Sequence, residues 1–172
     1  MTRLGKLAIF AITMLGSDVM IQSVAGQQRP LKEQLAGTWI LVSWEQTNPD
    51  GSKFQQFGAN PKGIAFFDTI GHYIISVMRS DRASYQIDNF GQLGQITAEE
   101  SKATALGTIT YFGTYSVSEA DRTIAIHVEA SSFPNWNGTD LERLFEITQD
   151  QLKLTVRPPR GGSVDVHWNR AS

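Results

Sequence analysis

Three arginines stand at strand positions whose neighbours of the same parity are apolar. Arg79 comes two residues after Val77, and Arg143 and Arg170 have the same relation to apolar neighbours. Side chains two residues apart in a β-strand point to the same face of the sheet. All three guanidinium groups are therefore expected on apolar faces. A buried guanidinium without a partner is costly, so each needs an anion, a backbone carbonyl or an aromatic ring.

Different partners are predicted for the three arginines. Arg170, near the end of the last predicted strand, is expected to stack on Trp39 of the first strand and to close one end of the structure. Arg79 and Arg143 could bind the carboxylate, phosphate or enolate of a ligand with two parallel hydrogen bonds. The alternative for these two is an internal ion pair, for which the acidic candidates are Glu45, Asp68 and Glu129.

Four further side chains complete the predicted site. Tyr111 and Tyr115 share a strand face and offer hydroxyl groups to a cavity. His127 alternates with an apolar face, so it points inward only if that apolar face is covered from outside. Trp136 lies in a loop, where it either lines a cavity mouth or packs on the surface. The predicted ligand-binding residues are Arg79, Tyr111, Tyr115, His127, Trp136 and Arg143.

Composition excludes several kinds of chemistry. The chain has 172 residues, a net charge of −2 and no cysteine, so it has no disulfides and no thiol catalysis. No basic cluster indicates a nucleic-acid partner. Three histidines occur without ligand spacing, and neither a nucleophile elbow nor a phosphate loop is visible. No metal, cofactor or catalytic residue is predicted.

The N-terminus has the pattern of a secretory signal peptide. Arg3 and Lys6 precede a short apolar run over 7–15, and small residues allow cleavage after Ala25 or Gly26. The alternative, a membrane anchor, needs an apolar run of about 20 residues. Residues 1–26 are therefore predicted to be a signal peptide and 27–172 the mature domain. The mature protein is expected to be secreted or periplasmic, without a transmembrane segment.

The rest of the sequence predicts β-strands, a short helical turn and one longer helix. A short helical turn is predicted over 31–35, followed by a strand over 35–44 that is apolar on both faces and expected to be covered on both. Thr97 and Glu100 form a capping box for a helix to Leu106, with Ala103 and Leu106 on its buried side. The other predicted strands are 52–57, 63–68, 72–79, 108–117, 122–130, 139–148, 151–157 and 164–170.

Strand number and spacing favour an all-β fold. Eight or nine short strands in hairpin order are typical of an antiparallel barrel or sandwich. An up-and-down barrel of about eight strands, with the helix inserted mid-chain, leaves no strand edge unpaired. A barrel of that size can hold one small ligand.

An ordered series of short motifs from Leu35 to Arg170 resembles the bacterial lipocalin-like domain family, which has a lipocalin or calycin type of β-barrel. The series includes Gly37-Thr-Trp39, Pro61-Lys-Gly63, Gly113-Thr-Tyr115, Pro134-Asn-Trp136 and Trp168-Asn-Arg170. The resemblance covers nearly all of the mature chain. It implies a barrel with a central cavity, in a family whose ligands and activities are poorly defined.

Two functions fit this sequence. The first is an exported protein that binds a small hydrophobic or amphipathic, anionic molecule in the barrel cavity. The second is a cofactor-free enzyme, such as a cyclase, isomerase or hydrolase, in which His127 or a tyrosine acts as acid or base and an arginine stabilises negative charge. A dry apolar cavity with one anchoring arginine favours binding, whereas a cavity-facing histidine paired with a carboxylate favours catalysis. The sequence predicts no oligomeric state.

Overall fold

The structure, a computed structural model, describes residues 29–172. The predicted signal peptide, residues 1–26, lies outside the described residues. Helix α1 spans Leu31–Leu35 and helix α2 spans Ala98–Leu106, and short 3-10 helices cover Phe90–Gln95 and Pro134–Trp136. The strands are β1 Gly37–Thr47, β2 Lys53–Phe54, β3 Lys62–Phe67, β4 His72–Met78, β5 Thr108–Ser118, β6 Thr123–Ser131, β7 Asp140–Ile147, β8 Gln151–Val156 and β9 Ser163–Arg170.

Eight antiparallel strands close into a barrel. The strands β1, β3, β4, β5, β6, β7, β8 and β9 pair in that order, and β9 pairs back to β1 from Trp39–Arg170 to Thr47–Ser163. The two-residue β2 pairs with β1 at Gln46 and Thr47, so the strand predicted over 52–57 is much shorter than expected. The predicted up-and-down barrel of about eight strands is confirmed. Closure satisfies the backbone hydrogen bonds of both outer strands.

A β-bulge changes the direction of side chains within β1. Leu41 pairs with Trp168 and Ser43 with His167, so Val42 is an extra residue between two pairs. Trp39 and Leu41 point inward before the bulge, and Trp44 points inward after it, where it packs against Phe57. Strict alternation from Trp39 would place Trp44 on the opposite face, and the bulge reverses that direction.

The outward face of β1 is open to solvent. Ile40 is 45% exposed and Val42 is 49% exposed. The expectation that β1 is covered on both faces is wrong, because no element of the described chain packs over the outside of this part of the barrel.

Trp39 and Arg170 close one end of the barrel, as predicted. The guanidinium carbon of Arg170 lies 4.1 Å from the centroid of the fully buried Trp39 ring. Arg170 also donates three hydrogen bonds to backbone carbonyls: Nε to Gln149 at 2.7 Å, Nη1 to Ala36 at 3.0 Å and Nη2 to Gln34 at 2.6 Å. One side chain thereby ties together α1, the β7–β8 turn and the two strands that close the barrel.

Helix α1 covers this closed end. Leu31 and Leu35 are buried against the barrel interior, and the Leu35 carbonyl accepts a hydrogen bond from Trp39 Nε1 at 2.8 Å. Across the described chain, neither helix is both long and apolar enough to span a bilayer.

The connection between β4 and β5 contains α2 and lies mostly outside the barrel. Thr97 caps α2 and the side chain of Glu100 accepts a hydrogen bond from the Thr97 backbone, so the predicted capping box is confirmed. The predicted buried side is wrong, because Ala103 is exposed and Leu106 is 60% exposed. The two ends of the connection meet where Arg79 N–H donates to the Gly107 carbonyl at 2.9 Å.

Candidate ligand-binding cavity

A cavity of about 460 Å³ occupies the barrel interior away from the Trp39–Arg170 end. Strands β1 and β9 contribute Trp44, Val164, Val166 and Trp168 to its wall, and β5, β7 and β8 contribute Ile109, Tyr111, Arg143, Leu154 and Val156. Ala105, Phe133 and Trp136 lie around the mouth, and the buried Phe57 contributes to the wall beside Trp44. A larger depression of about 810 Å³ is lined by charged residues such as Glu45, Arg122 and Lys153 and lies largely on the outer face of the sheet. The interior cavity is the one with the apolar enclosure that small-molecule sites need.

Aromatic rings form much of the cavity wall. The rings of Tyr111 and Trp136 meet edge to face at 5.2 Å between centroids, and those of Trp136 and Phe133 at 5.6 Å. Trp44 and Phe57 make the same kind of contact at 5.0 Å. Edge-to-face contacts hold rings in defined orientations, so the cavity has a fixed shape that suits an apolar molecule.

Arg143 is the charged side chain in this wall. It is 7% exposed, on the inward face of β7 that also carries the buried Phe145. Its Nη1 donates to the Glu142 carbonyl at 2.8 Å, and its guanidinium carbon lies 6.0 Å from the Trp136 ring centroid. Within residues 29–172, no carboxylate oxygen lies within 4.0 Å of its nitrogen atoms. The guanidinium is therefore buried with its positive charge unpaired.

Two tyrosines, Tyr73 and Tyr111, lie near Arg143. Burial raises the pKa of the Tyr111 hydroxyl, and the nearby positive charge of Arg143 partly opposes this rise. Burial also raises the pKa of Tyr73, whose ring meets Tyr111 edge to face at 5.8 Å. Both phenols stay protonated at neutral pH. Tyr111 can therefore donate a hydrogen bond into the cavity beside the arginine.

Of the six predicted ligand-binding residues, the structure brings three together. Tyr111, Trp136 and Arg143 line the same part of the cavity. The interpretation of Trp136 as a residue at the cavity mouth agrees with its position. Whether these three side chains bind a ligand stays a prediction.

Arg79 lies outside the cavity. Strand β4 ends at Met78, so the inward alternation of Tyr73, Ile75 and Val77 does not continue to Arg79. Arg79 forms a two-pronged ion pair with Asp81, with Nε and Nη2 at 2.9 and 2.7 Å from its two carboxylate oxygens. These hydrogen bonds raise the pKa of Arg79 and lower that of Asp81. The expectation that Arg79 faces the cavity is therefore wrong. Arg79 makes an ion pair, as the alternative held, but with Asp81 in place of Glu45, Asp68 or Glu129.

Tyr115 points inward but lies near the closed end of the barrel. Its hydroxyl donates to the Asp68 carbonyl at 2.5 Å, and its ring packs edge to face on Phe67. Burial raises its pKa to about 12. Strand parity correctly predicted the inward face, but parity does not tell how far along the barrel a side chain lies, and Tyr115 is not among the cavity residues.

His127 lies on the outside of the barrel. Its ring Nδ1 lies 2.8 Å from Asp140 Oδ1, and both side chains are solvent-exposed. The inward face of β6 is the apolar one, with Ile124, Ile126 and Val128 buried. Of the two orientations that the sequence left open for His127, the outward one is observed.

Sequence reasoning missed three large aromatic residues of the cavity. Strict alternation from Trp39 gives Trp44 the outward direction, and the bulge at Val42 that reverses it has no sequence signal that distinguishes it from a regular strand. Phe57 follows β2 in an irregular segment, where alternation gives no direction. Trp168 could have been found, since it shares a strand face with Val166 and Arg170. The indole N–H groups of Trp44 and Trp168 are buried and have no hydrogen-bond partner within the described chain.

The described residues contain no group of three or more histidine or acidic side chains placed to hold a metal ion.

Comparison with known proteins identifies a family. The family model for the lipocalin-like domain matches residues 36–169. Among solved structures, a redesigned β-barrel is 14% identical with a TM-score of 0.41, and the match covers 82% of this chain and 95% of that one. A de novo designed fluorescence-activating β-barrel is 14% identical with a TM-score of 0.40, covering 81% and 96%. Comparison with curated proteins gives no match.

The family match spans every strand of the barrel, from the start of β1 to the residue before Arg170 at the end of β9. The resemblance inferred from the ordered motifs is thereby confirmed. The chain belongs to the lipocalin-like domain family.

Proposed function

We propose that the protein binds a small hydrophobic, anionic molecule inside its barrel, with Arg143 holding the acidic group. The observation that carries this proposal is the buried guanidinium of Arg143, which has no carboxylate partner within residues 29–172 and lies in an otherwise apolar wall. A buried unpaired charge is costly to a fold. An anionic ligand would supply the missing partner.

The neighbours of Arg143 support the same chemistry. A guanidinium can hold a carboxylate or phenolate through two parallel hydrogen bonds. The protonated Tyr111 hydroxyl provides a further donor beside it. The edge-to-face rings of Trp136 and Phe133 then provide an apolar surface for the rest of the molecule. A cavity of about 460 Å³ is within the range of sites for small organic ligands.

The geometry favours binding over the enzymatic alternative. His127, the residue considered as acid or base, pairs with Asp140 on the outside of the barrel. Burial keeps Tyr111 protonated, which suits a hydrogen-bond donor better than a base. No observation in the described part of the chain favours the cyclase, isomerase or hydrolase activity that the sequence left open.

We also propose that the protein acts outside the cytoplasm, in the periplasm or secreted. This proposal is supported by the charged start, the apolar run over 7–15 and the small residues before Gln27. It is independent of the ligand.

Matched probes test the role of Arg143. Binding of naphthoate and decanoate, and of their neutral alcohol counterparts, would be measured by calorimetry on the wild type and on Arg143→Met. Losing a charge-assisted hydrogen bond of about 1.5–3 kcal/mol should weaken the affinity of Arg143→Met for the acids by roughly 10–150-fold. The alcohols should bind both proteins equally. Because methionine fills the site without a buried charge, Arg143→Met should fold with an unchanged or higher melting temperature.

The matched control is Arg79→Met, which removes a guanidinium at the end of β4, outside the cavity. It should leave the affinity for both acids unchanged. Equal affinity of the wild type and Arg143→Met for the acids would remove Arg143 from the site. Binding of the alcohols as tightly as the acids would argue for a purely apolar pocket.

A further inference from the structure

Six large apolar side chains form a continuous patch on the outside of strands β1, β3, β4 and β5. We call this patch the outer apolar face. Each of its members is between 41% and 49% exposed, and they are Ile40, Val42, Ile64, Phe66, Ile74 and Phe112. An apolar patch of this kind on a soluble protein commonly marks an interaction site.

Strand register places these side chains in two adjacent rows. In the first row Ile40 pairs with Ile64, and Ile64 pairs with Ser76. In the second row Phe66 pairs with Ile74, and Ile74 pairs with Phe112. Neighbouring side chains across an antiparallel pair lie about 4.5–5.5 Å apart. These five apolar side chains are therefore contiguous across four paired strands. Val42, the bulge residue, belongs to neither row and lies next to Ile40 along β1, on the side of the exposed Lys62.

The two rows contain no charged side chain. Their remaining members are Thr38, Ser76, Thr110, Ala130 and Asn169. Ser76 and Thr110 hydrogen-bond to each other at 2.8 Å, so both hydroxyls already have a partner without water. Removing water from these two rows would leave no charge without a partner.

We propose that the outer apolar face joins two copies of this chain in a two-fold symmetric dimer. Taking roughly 200 Å² for a large apolar side chain, the exposed fractions leave about 500 Å² of apolar side chain on the face. A standard interface buries about 800 Å² on each partner, and dimer interfaces are about 65% apolar. The apolar area expected of a dimer thus agrees with the area available here.

A second copy fits this face better than other partners. A two-fold dimer brings the same patch of both copies together, and the two rows, which carry no charge, meet their own copy without repulsion between like charges. A charged partner would find no complementary charge within the two rows. Each of the eight barrel strands has a paired neighbour on both sides, which leaves little free strand edge for association.

Sedimentation velocity of the purified protein tests the dimer. The wild type should change from monomer to dimer over about 1–100 µM, because dimerisation follows protein concentration. Phe66→Lys places a charge in the second row of each copy, and should raise the dissociation constant at least about 100-fold. If Phe66→Lys does not fold, as judged by near-ultraviolet circular dichroism, the double variant Ile64→Thr, Ile74→Thr replaces it, since threonine is well tolerated in strands.

Phe90→Lys is the matched control. Phe90 is 84% exposed in the β4–β5 connection and lies outside the outer apolar face. This variant should dimerise like the wild type. The proposal is overturned if the wild type stays monomeric throughout, if the face variants dimerise as well as the wild type, or if Phe90→Lys also abolishes dimers. A monomer that sediments with phosphatidylcholine vesicles would assign the face to a lipid surface instead.

Discussion

At the scale of single residues, two arginines on inward faces meet different environments. Arg170 lies over the Trp39 ring and donates to three backbone carbonyls. Arg143 has one backbone carbonyl partner, the Tyr111 hydroxyl beside it, and the Trp136 ring below its guanidinium at a longer distance. A guanidinium has five N–H donors, so Arg170 is largely satisfied by the fold and Arg143 retains donors for another molecule. This difference separates a structural arginine from a candidate binding residue.

Replacing Arg170 should destabilise the barrel. Arg170→Ala removes the stacking on Trp39 and leaves the carbonyls of Ala36 and Gln34 without their donor, so we expect a loss of about 2–4 kcal/mol in the free energy of unfolding. Urea unfolding of wild type and variant measures this loss. Arg160→Ala, in the exposed β8–β9 turn, should change stability by less than about 0.5 kcal/mol. A comparable small change for Arg170→Ala would show that the closed end does not depend on this side chain.

Alternation along the strands predicted the side-chain directions of some of these residues and not of others. The Trp39–Arg170 contact was predictable because one residue begins the first strand and the other ends the last, and a closed barrel pairs those ends. Arg143 lies in the middle of a regular strand, so alternation gave its direction correctly. His127 could not be placed, because alternation shows which residues share a face and not which face is interior. Arg79 was misplaced because the strand ends one residue before it.

At the scale of elements, two bulges set the shape of the barrel. One lies at Val42 in β1, and the other lies at Glu129 in β6, the extra residue between the pairs Phe112–Ala130 and Gly113–Val128. At the second bulge the backbones approach so closely that a β-carbon on Gly113 would collide with the carbonyl oxygen of His127. A glycine inside a strand often marks such a close approach. The bulge in β1 carries no glycine, and its effect on Trp44 was for this reason not predictable.

Gly113→Ala should be strongly destabilising. The added methyl group has no space against the β6 backbone, so strands β5 and β6 must separate locally, and we expect a loss of about 3 kcal/mol in the free energy of unfolding. Chemical denaturation measures the effect. Gly94→Ala adds the same methyl group in the β4–β5 connection, where nothing lies within 4 Å of the new atom, and it should be close to neutral. A loss below about 1 kcal/mol for Gly113→Ala would mean that the bulge can adapt.

At the scale of the whole molecule, strand count and hairpin order were sufficient to predict the closed barrel. Each strand length and turn signal is local, and consecutive strands pair in sequence order up to the closure of β9 on β1. The position of α2 was harder, because the apolar side chains of a helix do not show what it packs against. Leu106 was expected to be buried and is exposed. The cavity depends on the bulge at Val42, which turns Trp44 inward, and on the irregular segment that carries Phe57, so only part of its wall was predictable.

The export proposal is tested on the intact chain. Protein recovered from outside the cytoplasm of its own host should begin at Gly26 or Gln27, because small residues precede both bonds. N-terminal sequencing or intact mass measurement identifies the first residue. Protein retained in the cytoplasm is the control and should keep Met1. An exported protein with Met1 intact would rule out cleavage of a signal peptide.

The closed base of the β4–β5 connection has a consequence for how this barrel could diversify. The chain leaves β4 at Arg79 and returns to β5 at Gly107, and a single backbone hydrogen bond joins these two residues. Met78 and Thr108, the next pair toward the barrel, are the last paired residues of β4 and β5. The segment between them buries no large side chain in the core, yet its Ala105 reaches the cavity mouth. This segment could therefore be exchanged without removing any large side chain from the core. Evolution or an engineer could lengthen, shorten or replace it to alter what enters the barrel, while the eight strands keep their register.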